Sequence, residues 1–105
     1  MKSVEELKEI RERNYDTWFK RFVEKKDLVN QIEISNEKGY KGYVLDVHEY
    51  SDSRDKRMAM DPLFIKKLQT YLHDYKVSVD EGVIEGRLFG ITTKKSYYKV
   101  KISWA

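Results

Sequence analysis

The chain has 105 residues, 37% charged and 40% hydrophobic, with a formal net charge of +3 and no cysteine. That length suits one domain, residues 1–105, built on one modest core. The missing cysteine excludes disulfides, thiolate zinc sites and a cysteine nucleophile.

Ser3 followed by Glu6 forms a capping box, so a helix is expected to start near Val4. Leu7, Ile10, Trp18, Phe19, Phe22, Val29 and Ile32 continue it near the helical period, and Gly39 is its natural stop. An unbroken helix of about 35 residues would be about 52 Å long, against a diameter of roughly 35 Å for a globule of this size. It either breaks, near Asn14 to Asp16 or at Asp27, or lays its end on another molecule.

Tyr40 to Tyr50 reads as a strand, with Tyr43, Leu45 and Val47 alternating against Val44, Asp46 and His48. The polar run SDSRDKRMAM, Ser51 to Met60, reads as a long loop. Asp61-Pro62 is an N-cap followed by a first-turn proline. Phe64, Ile65, Leu68, Tyr71, Leu72 and Tyr75 then share one face of a second helix.

Val77 and Val79 open another strand, and Gly82, Gly86 and Gly90 mark a hairpin arm or an irregular loop. In the last strand Tyr98, Val100, Ile102 and Trp104 alternate with Tyr97, Lys99, Lys101 and Ser103, which requires a sheet packed on one side and wet on the other. The expected fold is a small two-layer α+β domain of order α-β-α-β-β with a three- or four-stranded sheet.

Chemistry is sparse. His48, Asp46, Glu49, Asp52 and Asp55 lie close in sequence without the spacing of a known metal motif. His73 has no nucleophile beside it, no serine sits in a G-x-S-x-G elbow, and the glycines do not make a phosphate loop. The expectation is a protein that is not an enzyme and uses no metal and no cofactor.

Charge is uneven. Residues 1–39 carry nine basic and nine acidic side chains, and residues 40–75 carry six of each. Residues 76–85 carry Lys76 against Asp80, Glu81 and Glu85, whereas residues 86–105 carry Arg87, Lys94, Lys95, Lys99 and Lys101 and no acid. Lys99 and Lys101 would project from one side of a strand about 7 Å apart, with Tyr97 on the same side. Lysines for phosphates and an aromatic for stacking would suit single-stranded nucleic acid. A solvated sheet face also carries lysines, and no RRM or helix-turn-helix pattern is present.

A second candidate surface lies on the first helix. Val4, Leu7 and Ile10 would be covered by a two-fold partner if the helix overhangs. The alternatives are a helix that breaks and folds back onto its own core, or a frayed, solvated end. Trp18 and Phe22 are either core or an aromatic hot spot for a partner.

Residues Leu72 to Val79 (LHDYKVSV) and the ending Tyr98 to Trp104 (YKVKISW) resemble the C-terminal half of many short phage and prophage proteins of Gram-positive bacteria. Those chains also open with a charged helix. The resemblance implies an accessory product of the host cytoplasm that acts by binding a host or defence protein, as inhibitors of host nucleases and anti-CRISPR proteins do. Mimicry of nucleic acid needs strong negative charge, and this chain is basic. No apolar run reaches the roughly 18 residues that span a bilayer. The charged opening from Met1 to Ile10 does not read as a signal peptide.

Overall fold

The computed structural model describes residues 1–104. Helix α1, Val4–Lys25, starts where Ser3 Oγ accepts the Glu6 N–H at 3.2 Å, with Glu5 and Glu6 favourably placed at its positive end. It stops at Asp27, whose φ of 52° is left-handed, a conformation that Asp tolerates better than most residues. Helix α2, Leu28–Glu37, then turns away, so the opening helix is bent at the second of the two expected breaks. It ends in a Schellman motif: Gly39 has φ 89°, its N–H reaches Asn36 O, and the Tyr40 N–H reaches Ser35 O. Ser35 Oγ donates to Gly42 O at 2.9 Å, which ties α2 to the following strand.

Strand β1 covers only Gly42–Asp46. The expected strand through Tyr50 is shorter because Val47–Glu49 turns as a 3-10 segment that drives Val47 fully into the core. The expected loop from Ser51 to Met60 is corrected to a helix, α3, Ser53–Ala59. Asp52 caps it by accepting the Arg54 and Asp55 N–H groups at 2.9 and 3.0 Å. Asp61 caps α4, Pro62–Tyr71, in the same way, accepting from Leu63 N at 3.0 Å. Proline at the first helical position loses no hydrogen bond.

Strands β2, Lys76–Leu88, and β3, Ile91–Ser103, pair antiparallel over thirteen residue pairs without a bulge, and β1 joins the other side of β3 only from Lys99 to Ser103. The sheet order is β1-β3-β2. Tyr98, Val100 and Ile102 are buried beneath the helices. Lys99 and Lys101 face the other way, as the alternation requires.

The core is aromatic. Trp18 lies 4.9 Å from Phe22, and Phe22 meets Phe64 edge-on at 5.5 Å. Such pairs add to the large area their rings bury. The Tyr15 hydroxyl donates to Met58 O at 2.6 Å and anchors α3 to α1. Trp18 is 6% and Phe22 1% exposed, so both are core residues, and the expectation that they could meet a partner is corrected.

The radius of gyration is 16.7 Å, above the roughly 13 Å of a compact chain of about 100 residues. A protruding hairpin helps account for the difference. Every residue from Val83 to Ser96 is exposed. Each of its strands extends about 20 Å past the last partly covered residues, Gly82 and Tyr97, at 3.4 Å per residue. No helix is long and apolar enough to cross a membrane among the described residues.

Candidate protein-interaction surface

The hairpin arm is made by the ends of β2 and β3 and closed by Phe89 and Gly90. Both turn residues have positive φ, 52° and 77°. Two successive left-handed residues form the type I′ turn whose twist matches a two-residue hairpin. Glycine adopts this at no steric cost; phenylalanine does not. Phe89 is nonetheless at the tip and 94% exposed, flanked by exposed Leu88 and Ile91.

Directly opposed residues share a face, so the register sorts the arm's side chains. The outer face, away from the helices, carries Lys101, Lys99, Tyr97, Lys95, Ile91, Ile84 and Leu88. The opposite face carries Val83, Glu85 and Arg87 against Ser96, Lys94 and Thr92. Of the basic residues singled out in the sequence, Lys95, Lys99 and Lys101 thus join Tyr97 on one face. Lys94 and Arg87 lie on the other.

Ion pairing also neutralises much of the basic segment. Lys101 Nζ lies 3.2 Å from Asp80, Lys95 lies 3.1 Å from Glu49, and Lys94 lies 3.6 Å from Glu85. Charges counted along the chain separate residues 76–85 from 86–105, but the hairpin folds the acids of the first onto the lysines of the second. Lys99 makes no ion pair among the described residues and sits 5.8 Å from the Tyr97 ring centroid. The Tyr97 ring itself lies over Gly82, and its hydroxyl points at Asp80, 3.5 Å away.

On α1, Val4 and Leu7 are 67% and 55% exposed, while Ile10 is partly covered. Leu7 and Ile10 border a shallow groove against Arg57 and Met58, and Arg11 pairs with Asp61 at 3.0 Å. The helix therefore leans on the α3–α4 corner, and its free apolar surface shrinks to Val4 and Leu7. The apolar tip of the arm was not singled out from the sequence. Its signal was Leu88-Phe89-Gly90-Ile91, an apolar run around a turn glycine.

No set of three His, Asp or Glu side chains converges as metal ligands among the described residues. Asp46, His48, Glu49 and Asp52 are spread over a strand end, a 3-10 turn and a helix cap. Asp55 is committed to the core, where it accepts a hydrogen bond from the Trp18 indole N–H at 2.9 Å and pairs with Lys25. No family model matches this chain, and no match was found among curated proteins or solved structures.

Proposed function

We propose that the protein works without catalysis, as a phage-type accessory domain that binds and modulates a host or defence protein in the host cytoplasm. The observation that carries this reading is Phe89. An exposed aromatic in a left-handed turn is a poor choice for folding, since Asn or Gly would fit the turn with less strain. A partner pocket that takes the ring supplies the missing reason. Leu88, Ile91 and Ile84 extend the apolar surface along the outer face, and the paired lysines form a polar rim. The phage affiliation rests on the resemblance of Leu72 to Val79 and Tyr98 to Trp104, which are helix-end and strand residues and speak to fold more than to target.

The test is affinity capture from a Gram-positive host lysate with the parent and with a Leu88→Lys, Phe89→Asn variant. A protein retained by the parent and lost by an equally stable variant supports the reading. Identical retention by both removes the arm as the binding surface.

The alternative is a nucleic-acid-binding module, favoured by Lys99 beside Tyr97 on the outer face. A mobility shift on single-stranded nucleic acid that weakens steeply with salt would support it.

A further inference from the structure

The free side of β2 is a long strand edge with no proline and no bulge, a natural template for pairing. We propose that a second copy of this chain pairs with it, β2 against β2 across a two-fold axis through Ile84, giving a continuous six-stranded sheet. The interface is the strand edge and not the tip; it shares Ile84 with the outer face assigned to partner binding but does not depend on that assignment.

The ladder shows which groups are free. Leu88 and Ile91 flank the two-residue turn as a hydrogen-bonded pair, so even-numbered residues of β2 bond to β3 and odd-numbered ones point their N–H and C=O away. Val77 fits this phase: its outward N–H is taken by Gln69 Oε1 at 3.1 Å. Gln69 closes the edge at Val77 and leaves it open beyond.

Charge selects the register. With Ile84 opposite its symmetry mate, Glu81 faces Arg87 of the second copy twice, and Val83 faces Glu85 twice. Four hydrogen-bonded pairs form, and opposite charges stand directly across the ladder. Centring the axis on Val83 would set Glu81 against Glu85, and centring it on Glu85 would set that carboxylate against itself. Like charges directly opposed are destabilising. Centring it on Gly82 would set Glu81 against Val83 and Glu85 against Val79, with no opposite charges across the ladder, and centring it on Gly86 would keep Glu85 opposite Arg87 but form only two hydrogen-bonded pairs. The Ile84 pair lies on the outer face, so the two outer faces meet on one side of the dimer.

Sedimentation equilibrium on the full chain, with charge reversals, tests this. The parent is expected to weigh twice the 12.6 kDa of one chain. Arg87→Glu or Glu81→Arg alone should raise the dimer dissociation constant about tenfold or more, and the two together should restore it. Circular dichroism should stay constant, because both side chains are exposed. The chain has no cysteine, so Ile84→Cys gives a single thiol that should oxidise to a disulfide-linked dimer, while Leu7→Cys should not. A parent that stays monomeric at hundreds of micromolar overturns the proposal. So does a dimer that ignores both reversals, or one that cross-links through Leu7→Cys instead.

Discussion

The Trp18 indole N–H donates to Asp55 Oδ1 at 2.9 Å across 37 residues of chain, and the same carboxylate takes Lys25 on its other oxygen. Burial alone would push the Asp55 carboxyl up, but the hydrogen bonds from Lys25 and Trp18 outweigh it and hold the group below its ordinary value. The contact joins α1 to α3 and gives a polar loop-like sequence a reason to be helical.

Asp55→Ala should therefore cost about 2–3 kcal/mol, the usual scale for a hydrogen bond to a charged group plus a buried donor left unpaired. Urea unfolding at pH 7 checks it. A loss under 0.5 kcal/mol, roughly the size of a surface substitution, would mean that the carboxylate does not bridge the two helices.

The sign of the pH dependence follows. A carboxyl held below its unfolded value stabilises the fold above that unfolded value, about 4, and the contribution fades as pH falls through the folded value. The stability gap between the parent and Asp55→Asn should be widest near neutral pH and should narrow below about pH 4. A gap that widens in acid would contradict the assignment.

Phe22→Ala should cost about 3–5 kcal/mol and Trp104→Ala about 2 kcal/mol. The ring of Phe22 is fully buried between Trp18, Tyr50 and Phe64. Trp104 is only half-buried, edge-on to Tyr75, with its indole N–H donating to Asn36 Oδ1 at 3.0 Å. Alternation along Tyr98 to Trp104 assigned its face correctly, but the strand ends at Ser103 and the sheet no longer covers it. Chemical denaturation of both variants would reverse the account if Trp104 proved the costlier.

What the sequence showed was periodic or punctuated. The faces of β3, the Asp61-Pro62 start and the Gly39 stop all rest on local chemistry that survives without tertiary context. What it hid was long-range. Helix α3 buries only Asp55 and Ala59, four residues apart, so it has no apolar stripe to detect, and its signal was the Asp52 cap. The break at Asp27 carries neither glycine nor proline, so the sequence offered it only as one of two places and could not choose between them. The lysines looked like an unopposed basic segment because their acids, Asp80, Glu85 and Glu49, arrive only through pairing and the turn after β1.

Lys99→Glu with Lys101→Glu should leave the fold in place. Both lie on the wet outer face, and the Lys101–Asp80 pair is an exposed one of little net worth. Unfolding within about 1 kcal/mol of the parent is expected. With so many lysines already paired, the parent should show no mobility shift on single-stranded DNA or RNA even at low salt. A strong shift that the double variant abolishes would transfer the function to the alternative reading.

The central claim is that the arm serves contact and not folding. Replacing Val83 to Ser96 with Asn-Gly, so that Gly82 and Tyr97 flank a short turn, measures it most directly. The account predicts a folded chain, with native circular dichroism and a melting temperature within a few degrees of the parent, that has lost the protein captured by the full-length chain. A variant that fails to fold, or one that captures the same protein as before, would contradict it.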